Sequence, residues 1–199
     1  MKLWTIQTIG FYEKLLEDKI IYGSKQYITF TEFLSGYHWL MNKMDSKIGK
    51  RPFPDCYPLW AWYQWKSAKK DKPDLRSSAH FPKGTKAVRI EIEKDDNKVL
   101  LSDFMLWHFP MSYHGYIGSC EKDSVAFEKM LEEKGLDRRK LNALPNNIRK
   151  EIIKSWDSVI DMEYEDTYFT YPKEHKSIQA TFWSLSINEI IKVDEFIAR

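Results

Sequence analysis

Alternation and helical spacing divide the chain into elements. Over residues 2–7, Leu3, Thr5 and Gln7 fall on one side of an extended strand, and Trp4 and Ile6 on the other. Phe11, Leu15 and Leu16 then form the apolar stripe of a helix predicted from about residue 10 to 19, which Ile20-Ile21-Tyr22-Gly23 ends. Thr29-Phe30-Thr31-Glu32 has capping-box spacing, with Thr29 as N-cap and Glu32 as its reciprocal partner. From there Phe30, Phe33, Leu34, Tyr37, Leu40, Met41 and Met44 recur at three- and four-residue intervals, predicting a helix to about residue 47. Gly36 interrupts that stripe and marks a close approach by another element.

Pro52, Pro54 and Pro58 keep the next stretch irregular. An extended segment follows, with Leu59, Ala61, Tyr63 and Trp65 on one face and Trp60, Trp62 and Gln64 on the other. Residues 66–85 are a long polar loop without periodicity. A connection of that length is usually functional or mobile. Val88, Ile90 and Ile92 alternate with Arg89, Glu91 and Glu93 in the clearest strand, and Asp95-Asp96-Asn97 should turn it into a return strand over 98–101. Ser102 or Asp103 then caps a short helix carrying Phe104, Leu106, Trp107 and His108, which Pro110 ends. Further helices are expected from Asp123 or Ser124 to Lys134, closed by Gly135, and from Asn146 or Asn147 through Ile152 to Val159, with a turn capped by Asp137 between them. Residues 178–185 read as a strand, Ser186 to Glu189 as a second capping box, and 191–196 as a final strand. Strands come in groups rather than alternating with helices. The expected fold is therefore α+β, a single domain over 1–199 with a mainly antiparallel twisted sheet and packed helices.

Composition narrows the classes. At 199 residues with 43% hydrophobic and 30% charged, the chain can build a core. No apolar run is long enough for a membrane span, and the first residues turn polar too early for a signal peptide. Cys56 and Cys120 show no CxxC spacing, as expected of reduced cysteines in a cytoplasmic protein, and the scattered histidines predict no metal site. Net charge is only +2, yet between Lys66 and Arg89 there are eight bases against Asp71 and Asp74, while 155–171 carries five acids and no base. Such a basic block can hold phosphates or serve as a solvated surface.

The excess is aromatic: 15% of the residues, including 8 Trp. Helical packing accounts for Trp39 and Trp156. Trp60, Trp62 and Trp65 fall within six residues and offer flat faces for stacking a base or nicotinamide ring, or else a core. Glycine loops for phosphate and nucleophile-elbow motifs are absent. Polar residues on otherwise apolar strands (Thr5, Gln7, Arg89, Gln179, Thr181) need partners and would line a cleft if their strands are neighbours.

Leu3-Trp4-Thr5-Ile6-Gln7, Tyr57-Pro58-Leu59-Trp60-Ala61-Trp62, Val99 to Phe104 with Trp107-His108, Ser155-Trp156-Asp157 and Gln179-Ala180-Thr181-Phe182-Trp183 together resemble a bacterial and phage domain family of unknown function, over nearly the whole chain. That resemblance implies no established activity. A second resemblance, to ADP-ribosyltransferase-like domains, rests on the first strand with its aromatic and polar residues, the helix that follows and ends near Gly23, and the antiparallel strands at the C-terminal end. It implies NAD as substrate, in a toxin or phage-conflict setting, with Gln179 orienting the ribose. Thr5 or its neighbours stand where those domains carry His or Arg, and Thr181 replaces the Glu two residues after Gln179.

The combined expectation is a transferase-like domain handling a nucleotide or NAD. Trp60 or Trp62 would stack the ring, and Arg76 and Arg89 would hold phosphate, with Thr5 nearby. Gln7, His108 and Gln179 would orient the ribose or polarise the reacting bond electrostatically. Two alternatives stand beside it: a non-catalytic binder of a nucleotide or RNA using the aromatic face and the basic loop, and a protein-interaction module with a tryptophan hot spot.

Overall fold

The computed structural model describes residues 1–28 and 33–199. Its strands are β1 (Lys2–Thr8), β2 (Ile20–Ser24), β3 (Cys56–Tyr57), β4 (Leu59–Gln64), β5 (Lys86–Glu93), β6 (Leu100–Asp103), β7 (Ile178–Phe182), β8 (Ser184–Ser186) and β9 (Ile190–Ile197). Six of them form a sheet in the order β6-β7-β4-β1-β5-β9, and three form a smaller sheet, β3-β2-β8. Every pairing is antiparallel. Helices α1 (Ile9–Asp18), α2 (Leu34–Lys47), α3 (Phe104–His108), α4 (Glu121–Glu133) and α5 (Asn146–Ser155) pack around this frame, giving the α+β architecture.

Period-two alternation decides which side chains meet. On β1 and β5 it buries Leu3, Val88, Ile90 and Ile92 in one cluster with Leu15 of α1, Ala61, Ala180 and Phe182. A second cluster is helical: Trp39, Leu40 and Met44 of α2 meet Leu106 and Trp107 of α3, Ile148 and Ile152 of α5, and Trp156. Each fully buried large side chain here contributes about 1.5–3 kcal/mol relative to exposure. Thr8 caps α1 by accepting from the Phe11 N–H, and Asp103 caps α3 by accepting from Met105 and Leu106. After His108 the chain continues into one π-helical turn, Phe109–Tyr113, so Pro110 lies inside that turn.

Several expectations change. The 86–94 and 98–101 segments do not form a hairpin: β5 pairs with β1 and β9, whereas β6 pairs with β7 at the far edge of the sheet. Val99 to Leu101 are apolar enough to suit any buried neighbour, and the turn at Asp95–Asn97 does not return the chain upon itself. Ile20 to Gly23 does more than end a helix, for it belongs to β2 of the smaller sheet. The 178–185 strand is two strands, β7 and β8, in different sheets, separated only by Trp183. The α4 helix begins at Glu121, before Asp123 and Ser124, whose side chains instead hold the preceding loop at Ser119 and Gly118. The capping box at Thr29 to Glu32 lies outside the described residues. The close approach expected at Gly36 is real: a Cβ there would sit 2.5 Å from the Pro110 carbonyl oxygen.

Candidate functional site

The ladder between the two central strands of the large sheet is short. β1 aligns with β5 over seven register pairs, from Lys2 opposite Glu93 to Thr8 opposite Ala87. With β4, its other neighbour, it shares a single pair, Trp4 opposite Trp62. Beyond that point a side chain replaces the ladder: the Thr5 hydroxyl, 2% exposed, donates to the Trp60 carbonyl at 2.9 Å. The Gln7 amide donates to the Thr5 oxygen at 2.8 Å. An interior sheet seam thus carries a short chain of polar side chains where backbone bonds would normally be made. Thr5, Gln7 and Trp60 meet here. Trp60 brings its carbonyl rather than its ring, because the indole packs against Trp107 at 5.2 Å and edge-on to Tyr37 at 6.1 Å. Burial pushes the Tyr37 hydroxyl up, so it stays neutral.

A second group lies on the opposite face of the sheet. Ser102, Gln179, Trp62, Trp4 and Glu91 are successive cross-strand partners and so share one side. Thr5 and Gln7 occupy the other side, so one cleft cannot be lined by Gln7 and Gln179 together as expected. The Ser102 hydroxyl and the Gln179 carboxamide oxygen, on residues directly opposite each other across β6 and β7, are both buried without a hydrogen-bond partner. From Trp62 a run of rings leads outward: Trp62 to Phe104 at 5.3 Å, Phe104 to His108 at 5.1 Å, and His108 stacked on Tyr113 at 5.9 Å. It opens into a cleft of about 1080 Å³ walled by Phe104, His108, Phe109, Tyr113 and Phe169, with Arg138 on its margin. His108 Nδ1 lies 3.0 Å from the Phe104 carbonyl. A carbonyl only accepts, so Nδ1 carries a hydrogen.

The two arginines lie elsewhere. Arg89 is committed to Asp194 at 2.5 Å and to the Pro73 carbonyl at 2.6 Å, pinning the basic loop to β5. The Arg89 guanidinium, with Lys192, holds the Asp194 carboxyl down to about 2. Arg76 is exposed and closes on its near neighbour Asp74 at 2.7 Å, drawing that carboxyl well below the usual range. The loop carries no helix or strand; it folds back through one bridge, Ser67 to Lys70. Trp65 sits there under the Lys66 ammonium at 4.5 Å.

Both cysteines are free. Burial pushes the Cys56 thiol up to about 11, which keeps it protonated and unreactive, and Cys120 is exposed. Among the described residues no group of three His, Cys, Asp or Glu is placed to hold a metal ion, and no helix is long and apolar enough to cross a membrane. Sequence reasoning missed the parted seam. Its only trace was two polar residues, Thr5 and Gln7, on the side of β1 that also carries the buried Leu3.

Neither a curated protein nor a solved structure matches this chain. A family model does, over residues 2–191, and the chain belongs to that family, Domain of unknown function (DUF3841).

Proposed function

We propose that this domain handles a nucleotide, with NAD as the leading ligand, at the seam between β1 and β4, in the manner of an ADP-ribosyltransferase-like domain. The observation that carries this reading is the single register pair between two strands at the centre of a sheet. Past that pair the Trp60 carbonyl takes its hydrogen bond from the Thr5 hydroxyl, a side-chain donor in place of a strand N–H. A planar carboxamide presents a complementary donor and acceptor on one edge and could bond the polar side chains of this seam. Gln7, whose amide nitrogen is used on Thr5, keeps its carbonyl oxygen to accept from a ribose hydroxyl. The chemistry available is electrostatic and positional, from oriented dipoles with no metal required.

A second reading has its own observation, the aromatic cleft at His108. A flat base would stack against its rings without reaction, beside an Arg138 that is paired with Glu128 at 3.0 Å. Calorimetric titration with NAD, together with label transfer from labelled NAD into a cell extract, separates the two. Under the seam reading Gln7→Ala lowers NAD affinity at least tenfold and His108→Ala changes it little. The reverse pattern, without label transfer, supports the cleft. An absence of NAD binding by the unaltered protein overturns the seam reading.

A further inference from the structure

Ser35 and His114 are 79 residues apart in sequence, yet Ser35 Oγ lies 3.0 Å from His114 Nε2. Three features of the backbone hold them there. Gly36 lets α2 approach the π-helical turn so closely that a Cβ would meet the Pro110 carbonyl oxygen at 2.5 Å. That turn is an irregular segment of a kind often found at functional sites. It ends at His114 itself, in the left-handed region at φ 49°, with its N–H donating to the Phe109 carbonyl at 2.7 Å. The imidazole also lies against Trp156, with ring centres 6.5 Å apart. Packing and backbone thus do the orienting that a carboxylate does in a triad.

The pair opens on a cavity of about 800 Å³. Ser35, His38, Trp39 and Asn42, spaced at three, four and seven residues, give it one helical wall, and Lys140 and Trp156 stand across it. Trp39 is 7% exposed, and its indole N–H, one turn from Ser35, has no hydrogen-bond partner. A buried unpaired donor in a native fold calls for a reason. Burial keeps the His114 imidazole below its ordinary pKa and therefore neutral near pH 7, with the nearby Arg138 charge acting in the same direction.

We propose that Ser35 is a nucleophile activated by His114, and that the cavity takes an ester of a small acid bearing a negative charge, which the Lys140 ammonium would favour. In the tautomer with hydrogen on Nδ1, Nε2 accepts the Ser35 proton as Oγ bonds to the ester carbonyl carbon. The bond to the leaving alcohol breaks, and His114 returns its proton to that oxygen. Water then repeats the sequence, His114 taking its proton, to release the acid and restore the serine. This site is separate from the β1–β4 seam.

The test is labelling of the full chain with a fluorophosphonate probe, followed by intact mass measurement and peptide mapping. The expected result is one phosphonyl adduct, mapped to Ser35, absent from Ser35→Ala and formed about 100-fold more slowly in His114→Gln, the usual scale of general-base assistance. Circular dichroism melting of both variants checks that they fold. An unaltered protein that carries no adduct at Ser35, or that reacts no faster than Ser35→Ala, overturns the proposal whatever the variants do.

Discussion

β1 has two neighbours and treats them differently. Against β5 it runs in register for its whole length, with Leu3, Ile90 and Ile92 fully buried along the seam. Against β4 it touches at Trp4 and Trp62 and then hands the contact to a threonine and a glutamine. The first seam is closed by apolar burial and a complete ladder, which is what holds a sheet together. The second leaves backbone groups to side chains, which a ligand can supplement or replace. Within one strand, then, a complete ladder and a short one lie on opposite edges.

The largest effect tests what holds the β4 side in place. Lys176 and Asp103 are both fully buried and 3.5 Å apart. Lys176 also donates to the Tyr164 carbonyl at 2.6 Å, and Gln64 at the end of β4 donates to the Lys176 carbonyl. Asp103→Asn leaves a buried ammonium without its counter-charge and should cost about 3–5 kcal/mol in denaturant unfolding. A loss under 1 kcal/mol would mean that this side is held by something else. Next in size is Ile90→Ala on the closed seam, expected to cost about 2–5 kcal/mol with no specific loss of ligand affinity once folded. If NAD affinity fell as well, the two edges of β1 would not be separable.

Thr5→Val keeps the shape and removes the hydroxyl. It leaves the Trp60 carbonyl and the Gln7 amide without that partner, at about 1–3 kcal/mol, and should weaken NAD binding more than it weakens the fold. Equal losses in both would make the seam purely structural. The smallest effect is acid dependence on the β5–β9 side. The Asp194 carboxyl, held down to about 2 by Arg89, lies below its unfolded value of about 3.9. Its contribution is complete above pH about 4 and is lost as pH falls through about 2. Melting temperatures measured across that window should fall less steeply for Asp194→Asn than for the unaltered protein. Parallel curves would contradict the clamp.

Much of the architecture was legible where one periodicity ran long enough. Val88 to Glu93 alternate without a break, and Leu40, Met41 and Met44 sit on a helical stripe, so β5 and α2 could be read directly. Short elements could not. Cys56-Tyr57 is too brief to show any period, and Ile20 to Ser24 directly follows a helix, so the smaller sheet stayed hidden. Strand partners were beyond reach as well, because Leu100 and Leu101 suit any buried neighbour and find theirs in a strand that begins at Ile178. At the candidate site, Thr5 and Gln7 announced themselves as polar residues on an apolar strand, but the parting of β1 from β4 is a relation between strands that neither strand's sequence encodes. Ser35 and His114 are further removed still: each is an ordinary polar residue until Gly36 lets two backbones touch.

The two sheets are joined at adjacent corners. Pro58 alone separates β3 from β4, and Trp183 alone separates β7 from β8. Trp183 is fixed in turn, its indole donating to the Gly49 carbonyl at 2.8 Å and its own carbonyl facing the Cys56 thiol. Widening the seam would require both one-residue corners to bend at once, so its width is set before any ligand arrives. Capture should accordingly be a one-step process, with an observed rate that rises linearly with ligand concentration and no slow closing phase. Differences in affinity among ligands would then reside in how long each stays rather than in how fast it enters.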